Sequence, residues 1–169
     1  MRPSPLQLQR VIFNRVSILP HAAQERAISA AGFDFDGVGI RSDIGVGQKQ
    51  GQADDPRDFL VKLQVTIDNK EGKVAPYTID VEVLGLFNVS GSLPKERRED
   101  LLTVNGASIL YGAIREMVLS LTSRFAAGGL TLPGVNFEDD APSVRGTKVA
   151  DKQLGRARKT RAVRSRTKS

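Results

Sequence analysis

The sequence contains no cysteine and no tryptophan, and its only histidine is His21. The absence of cysteine excludes disulfides, thiol catalysis and cysteine-ligated zinc. A single histidine cannot supply a histidine-based metal site, so His21 is interpreted as a surface-loop residue. Aromatic residues make up only 5% of the chain, which leaves few side chains for base stacking. We therefore expect no metal and no cofactor.

Long hydrophobic runs are also missing. No stretch of about 18 apolar residues exists, so no membrane-spanning helix is predicted. Residues 1–10 lack the apolar core of a secretory signal peptide. These two features predict a cytoplasmic protein with no membrane insertion.

Acidic residues are almost absent from the C-terminal end of the chain. Residues 142–169 hold ten Lys/Arg and one acid, Asp151, whereas residues 1–141 hold 15 basic and 18 acidic residues. The end segment therefore carries +9 and the remainder −3. So basic a segment, with few large apolar residues, is expected to be disordered. The sequence predicts a folded domain over residues 1–140 and a basic tail over residues 141–169.

The strongest apolar pattern lies between residues 105 and 137 and predicts one long helix. Large apolar side chains recur three or four residues apart, which is the spacing of a helical stripe. We predict a helix over residues 108–127, capped by Asn105 or Ser108 and ended by Gly128 and Gly129. The stripe consists of Leu110, Ile114, Met117, Leu121 and Phe125, with Tyr111 and Val118 beside it.

The opposite face of this helix consists of small residues and one leucine. Gly112, Leu119, Ser123 and Ala126 cluster there at 100° per residue. Small side chains allow a second surface to approach closely, so these four residues are predicted to form an oligomer interface. The alternative is a core helix with one stray leucine.

Four segments have the alternation of β-strands. Residues 59–68 alternate most cleanly, and residues 77–89 form the predicted hairpin partner, with a register break at Gly85. Residues 6–18 alternate with a phase slip that indicates a bulge. Residues 32–50 predict one glycine-weakened strand or two short strands. The fold class is therefore α+β: four antiparallel strands followed by one long helix packed across the sheet.

No catalytic constellation accompanies this fold. Carboxylates are scattered, and the pair Arg115 and Glu116 is interpreted as a solvated or interface ion pair. Residues 45–51 are rich in glycine but lack the Gly-Lys-Ser/Thr ending of a phosphate-binding loop. We therefore expect a binding protein and not an enzyme. Two further classes stay open: a nucleic-acid-binding protein that uses its basic tail, and a purely structural oligomer.

Four stretches resemble the SecB family of bacterial export chaperones, in order, across residues 6–138. They are Leu8-Gln9-Arg10, the segment from Tyr77 to Gly85-Leu86-Phe87, residues 109–116 (Ile-Leu-Tyr-Gly-Ala-Ile-Arg-Glu) and residues 130–137 (Leu-Thr-Leu-Pro-Gly-Val-Asn-Phe). The last two are the most specific.

The resemblance implies a four-stranded antiparallel sheet with a long helix, assembled as a homotetramer that is a dimer of dimers. It also implies an ATP-independent chaperone that keeps unfolded polypeptides soluble for export and delivers them to the translocase motor ATPase. Some SecB-like proteins instead serve a dedicated client such as an antitoxin. The sequence leaves this choice open.

Two departures from the family pattern bear on that choice. Export-type members continue with a second amphipathic helix and an acidic end, whereas this chain ends in a basic segment. Family members dock the motor through carboxylates on the flat face of the sheet. Asp80 matches one such position, but Arg15 and Leu19 stand where other members have acids.

The client-binding surface is predicted from apolar residues that a sheet and its loops leave uncovered. The burial of client side chains against such residues would supply the binding free energy. The alternative, strongest for Phe87, is that they belong to the core. The candidates are Phe33, Phe35, Leu84, Leu86 and Phe87.

Overall fold

The computed structural model describes residues 3–21, 29–49 and 54–144, which include four strands and one long helical segment. The strands are β1 (Leu6–Pro20), β2 (Arg41–Gln48), β3 (Asp58–Ile67) and β4 (Tyr77–Val89). They form one antiparallel sheet in the order β1-β4-β3-β2, so β1 and β2 are its edges. The helical segment packs across one face, called the inner face here. The predicted α+β fold is confirmed.

The central hairpin of β3 and β4 supplies most of the core. All five predicted inward residues of β3, at alternate positions from Phe59 to Ile67, are buried. The turn that follows β3 contains Asn69 in the left-handed region, at φ 55°. The Asn69 side chain accepts a hydrogen bond from the amide of Ala75 and donates one to the Ala75 carbonyl. The amide side chain thus holds the turn closed.

Strand β1 contains the predicted irregularity, and it occurs twice. The register with β4 shifts between Leu8 and Arg10 and again between Phe13 and Arg15. Such shifts bend a strand while its apolar side chains stay on one face. The side chains on the outer face of β1 are therefore less regularly spaced than those on the outer face of β3.

The predicted break of β4 at Gly85 is wrong. The strand continues without a register shift, with Gly85 opposite Val61 of β3 and Val11 of β1. Gly85 is required by close packing: a Cβ there would lie 2.5 Å from the Phe87 ring and 2.8 Å from the Leu110 side chain. Glycine thus lets the helix contact the middle of the sheet.

The helical segment begins earlier than predicted. A 3-10 turn (Lys95–Arg97), helix α1 (Arg98–Leu101), a π-helical turn (Leu102–Gly106) and helix α2 (Ala107–Thr122) follow one another directly. Asn105 therefore lies inside the segment, and Ser108 donates its hydroxyl to the Val104 carbonyl, so neither residue caps the helix. The predicted helix end is wrong: α2 ends at Thr122, five residues before residue 127, and residues 123–127 form turns. Gly128 is left-handed as predicted, with φ +88°, but it lies after these turns and does not end the helix.

The buried face of α2 is rotated relative to the predicted stripe. Met117, Leu121 and Phe125 are only half-buried. A polar side chain, Thr122, is fully buried because its hydroxyl donates to the Val118 carbonyl and accepts from the Leu130 amide. The buried residues are Ala107, Leu110, Tyr111, Ile114, Val118 and Thr122.

Arg98 is a buried cation at the start of α1 that no sequence pattern indicated. Its side chain is 4% exposed. The guanidinium donates to the carbonyls of Leu93 and Pro56 and to the Asp55 carboxylate, with Arg98 Nη1 2.7 Å from Asp55 Oδ1. Arg98 therefore ties the segment before β3 to the start of the helix.

The chain stays attached to the domain slightly past the predicted boundary at residue 140. Ala141 is buried, and the Ser143 amide donates to the Asp100 carboxylate. The basic tail, predicted to be disordered, lies outside the described residues from position 145 onward. In the described part of the chain, no helix is long and apolar enough to cross a membrane.

Replacing Gly85 with alanine should destabilise the fold, because the new methyl group would overlap Phe87 and Leu110. Overpacking of this kind costs about 1–3 kcal/mol of the free energy of unfolding. Urea denaturation measures this loss. Gly47→Ala is the matched control in the same sheet, since the nearest atom to its Cβ is 4.0 Å away. Equal stability of the two variants would contradict the close-packing role of Gly85.

The contact between Asp55 and Arg98 should make the free energy of unfolding depend on pH in the acidic range. The hydrogen bond from Arg98, and then the one from Arg57, lowers the pKa of Asp55. A carboxyl whose pKa is lower in the folded state stabilises the protein above its unfolded pKa, and this contribution is lost as pH falls below about 4. Between pH 7 and pH 3, the wild type should therefore lose more stability than Asp55→Asn.

Two arginine variants test the cause of this acid dependence. Arg98→Met should reduce the pH dependence and lower the free energy of unfolding at pH 7, because the half-buried acceptors on Leu93, Pro56 and Asp55 lose their donor. Arg97 is exposed, so Arg97→Met should behave as the wild type. A wild-type pH profile for Arg98→Met would contradict the assignment.

Candidate functional site: a groove along strand β2

Strand β2 is an edge strand whose inner face is only partly covered by the helical segment. Ile44 and Val46 point to the inner face, as do their register partners Leu63 and Val61 on β3. The two β3 side chains are fully buried, but Ile44 and Val46 are only half-buried. Apolar surface therefore stays open beside the helix.

Three cavities follow one another along this surface, with volumes of about 170, 250 and 350 Å³. Each includes side chains of β2 or of Ile40 just before it, and the order of the cavities follows the order of the strand. We call this feature the β2 groove. Its floor is Ile40, Ser42, Ile44, Val46 and Gln48, and its facing wall includes Lys95, Arg98, Glu99, Thr103, Tyr111, Val135, Asn136, Phe137, Asp140 and Pro142.

One end of the β2 groove is apolar and aromatic. The rings of Tyr111 and Phe137 pack edge to face, with centroids 5.9 Å apart. Burial raises the pKa of Tyr111 to about 12, so its hydroxyl stays protonated and donates to the Pro133 carbonyl at 2.8 Å. The aromatic pair is therefore held in place before any ligand arrives.

The opposite end of the groove is polar. Lys95, Arg98 and Glu99 line it together with Gln48. Arg98 is already committed to Asp55 and two carbonyls, so it holds the shape of this end of the groove. A ligand with apolar groups at one end and polar groups at the other would match this gradient.

Part of the wall opposite β2 comes from an extended segment after the helix, residues 129–137, of which Val135, Asn136 and Phe137 line the groove. Arg115 Nε donates to the Leu132 carbonyl at 2.9 Å, and the Leu130 amide donates to the Thr122 hydroxyl at 2.8 Å. Leu130, Leu132 and Phe137 are buried. The Pro-x-Val-Asn-Phe stretch singled out in the sequence thus forms part of the groove wall.

The five predicted client-binding residues do not form one surface. Phe33 and Phe35 pack edge to face 5.2 Å apart in the segment before β2, with Lys73 over the Phe33 ring. Leu84 and Leu86 lie on the outer face of the sheet, opposite Ile12 and Leu60 respectively. Phe87 is 1% exposed and belongs to the core.

The floor of the groove could not be predicted from the sequence. The alternation around Ile44 and Val46 indicates a strand, but it does not show how much of that strand the helical segment covers. The sequence feature that could have indicated the floor is the alternation itself, which puts five residues on one strand face: Ile40, Ser42, Ile44, Val46 and Gln48.

The outer face of the sheet carries the predicted docking residue Asp80. The Asp80 carboxylate lies 3.0 Å from Arg15 Nε and accepts a hydrogen bond from Gln64. Asp43 on the same face pairs with Lys62. Both carboxylates are thus partly neutralised by cations of the same chain.

The four residues of the predicted oligomer interface are all exposed along the helical segment and the turns after it. Leu119 is 40% exposed, and a Cβ on Gly112 would meet nothing within 4 Å. The edge strand β1 also exposes apolar side chains, with Leu8 at 37% and Val16 at 39%. The remaining interface candidates are Ser123 and Ala126.

The chemistry available in the β2 groove is burial of apolar groups and hydrogen bonding. Within residues 3–21, 29–49 and 54–144, no group of three or more His, Asp or Glu side chains is placed to hold a metal ion. The groove therefore fits an extended, partly apolar ligand better than a small charged one.

Comparison with known proteins identifies relatives of the region that forms the groove. The family model described as "Preprotein translocase subunit SecB" matches residues 40–139, from Ile40 through the wall segment. The protein-export protein SecB of Acidithiobacillus ferrooxidans is 37% identical over 78 residues, covering 46% of this chain and 52% of that protein. The protein-export protein SecB of Thioalkalivibrio sulfidiphilus is 33% identical over 85 residues, covering 50% of each. The chain spans about half the length of the curated relatives it matches.

Two solved structures are more distant matches. A SecB-like chaperone of Mycobacterium tuberculosis, in complex with a peptide from an antitoxin, has a TM-score of 0.48 and 23% identity, with 77% of this chain and 90% of that chain covered. A protein of unknown function from Streptococcus agalactiae has a TM-score of 0.49 and 14% identity, with 76% and 97% covered. The sequence resemblance is confirmed by the family match over residues 40–139, and the chain belongs to the SecB family.

Proposed function

We propose that this protein is an ATP-independent molecular chaperone that holds unfolded polypeptide segments in the β2 groove. The observation that carries the proposal is the run of three adjoining cavities along a partly covered, half-apolar strand. Unfolded segments expose apolar side chains, and their burial against Ile44, Val46 and the Tyr111 ring would favour binding. Family membership supports this activity, since the matched relatives are named protein-export proteins.

Phe33 and Phe35 extend the proposed client surface beyond the groove. They lie in the segment that leads to Ile40 and are half-buried, so part of each ring is open. Leu84 and Leu86, with Ile12 and Leu60, form a separate apolar patch on the outer face. The outer-face patch has a cavity of its own, about 540 Å³ in volume and lined in part by Leu60 and Leu86. We assign the primary client contact to the β2 groove because its three cavities follow one strand from end to end, which suits an extended chain.

The client class is either exported precursors or a dedicated client such as an antitoxin. Export would need docking of the translocase motor ATPase, and Asp80 is the candidate for that contact. Because Arg15 offsets the Asp80 charge, we propose that motor docking is weak and that a dedicated client is the better match. Nucleic-acid binding by the tail stays a prediction from composition.

The groove assignment predicts a loss of client holding in the double variant Ile44→Ser/Val46→Ser. Removing two apolar contacts should weaken client binding about tenfold. The measurement is light scattering from a reduced, unfolded client mixed with excess chaperone and no nucleotide. The wild type should keep the client soluble, and the double variant should need about ten times more protein for the same effect.

A matched control is Val74→Ser, which changes an exposed valine in the turn after β3, away from the groove. It should retain full holding activity. If the wild type fails to suppress aggregation at excess chaperone, the holding function is wrong. If the double variant holds the client as well as Val74→Ser does, the client binds elsewhere.

We also propose a homotetramer, arranged as a dimer of dimers through the exposed side of the helix. Gly112, Leu119, Ser123 and Ala126 supply small and apolar side chains on that side, which suits close helix packing. The exposed apolar residues of edge strand β1, Leu8 and Val16, offer a second contact surface. Two distinct surfaces are what a dimer of dimers needs.

Leu119→Glu should therefore shift the population to smaller species, because a charge would be buried at the contact. Multi-angle light scattering at micromolar concentrations measures the mass. Val74→Glu introduces the same charge in the turn after β3 and should leave the mass unchanged. A wild-type protein that is monomeric across this range would overturn the assembly.

A further inference from the structure

We propose that an unfolded polypeptide binds by adding to the free edge of β2 as a fifth strand, with every second side chain entering the β2 groove. The inference rests on the proposed function and specifies its binding mode. It follows from the direction in which the backbone groups of β2 point.

Two hydrogen bonds outside the ladders define that direction. The Lys49 amide donates to the Asp58 carbonyl at 3.0 Å, so Lys49 and Asp58 are a hydrogen-bonded pair. In an antiparallel ladder such pairs alternate with pairs that do not bond to each other. Residues 47, 45, 43 and 41 therefore bond to β3, while Ser42, Ile44, Val46 and Gln48 direct their amides and carbonyls away from it.

The other side of β3 gives the same phase independently. The Val89 amide donates to the Arg57 carbonyl at 2.8 Å, which makes Arg57 and Val89 a bonded pair. The odd-numbered residues of β3 therefore bond to β4, and the even-numbered ones bond to β2. Leu60 and Lys62 are the register partners of Gly47 and Gly45, in agreement with the assignment from Lys49.

The residues that offer free backbone groups are the residues that line the groove. Ser42, Ile44, Val46 and Gln48 have their side chains on the inner face and their amides and carbonyls toward the open edge. Residues directly opposite one another in neighbouring strands have their side chains on the same face. A strand added at this edge would therefore place alternate side chains beside those of Ile44 and Val46, in the groove.

The edge of β2 has little protection against strand addition. Its outer face carries Gly45 and Gly47, whose missing side chains leave room beside the strand. Arg41 and Asp43 are held by ion pairs with Asp68 and Lys62. Natural edge strands are commonly shielded by lysine, proline or a bulge, and β1 has two register shifts and ends at Pro20. Within the described residues, β2 pairs with β3 alone and its register shows no shift.

An unfolded polypeptide has the chemistry that this edge recognises. Backbone amides and carbonyls occur in every protein sequence, so pairing with them gives affinity that does not depend on side chains. The groove adds a preference for apolar residues at alternate positions. This combination accounts for a chaperone that accepts many extended segments yet favours amphipathic strand-like ones.

Two isomeric peptides test the proposal on the full-length protein. Both are fluorescent nine-residue peptides in which leucine alternates with serine. One carries N-methyl groups on three leucine amides and the other on three serine amides, so composition and methyl count are the same. Fluorescence anisotropy measures the affinity of each and of the unmethylated peptide.

Strand addition uses only every second amide of the client, so methylation should weaken only one of the two isomers, by about tenfold or more relative to the unmethylated peptide. Antiparallel addition predicts that the leucine-methylated isomer is the weak one, and parallel addition predicts the serine-methylated isomer. Equal affinities of the two isomers would overturn strand addition.

Further outcomes separate this inference from the proposed function. If the unmethylated peptide binds the wild type but not Ile44→Ser/Val46→Ser, and methylation has no effect, the groove holds clients without strand pairing. If the unmethylated peptide does not bind at all, the groove assignment itself fails. If peptide binding lowers the oligomer mass in light scattering, the β2 edge belongs to a contact between copies of this chain, and the proposal is wrong.

Discussion

The close contact between the helix and β4 at Gly85 is the packing constraint on which the position of the helix over the sheet depends. With hydrogen in place of a side chain, Gly85 leaves space that the Phe87 ring and the Leu110 side chain occupy. The helix is thereby centred over β3 and β4, the two interior strands. Because one helix cannot cover a four-stranded sheet, the inner faces of the two edge strands stay partly open. The β2 groove is a consequence of this placement.

Side chains on the helix then convert an open strand face into a concave site. Arg115 and Thr122 bind the backbone of the wall segment, and Tyr111 holds it at Pro133. Arg98 ties the segment before β3 to the first helical turn at the other end. Each of these polar groups is hydrogen-bonded, so both ends of the groove wall are tied to the domain. Apolar and polar ends are separated along its length.

Much of the fold could be predicted from the sequence because its signals are local. Alternation over residues 59–68 and 77–83 identified the core side chains of β3 and β4, and glycine at 128 identified a left-handed turn beyond the end of α2. The continuity of β4 through Gly85 could not be predicted, since glycine breaks many strands. Its role here depends on Leu110, which is distant in sequence. The burial of Arg98 was hidden for the same reason, because its partners at positions 55, 56 and 93 are brought together only by folding.

Family membership and strand periodicity were determined by the sequence alone, because motifs and alternation are properties of neighbouring residues. The sequence also placed Ile44 and Val46 on one strand face. Only the tertiary structure decided that this face is a groove, that Phe87 lies in the core, and that Leu84 and Leu86 lie on the opposite side of the sheet from the helix. Whether a strand face is covered depends on where a helix many residues away comes to rest, and that is set by packing between distant side chains.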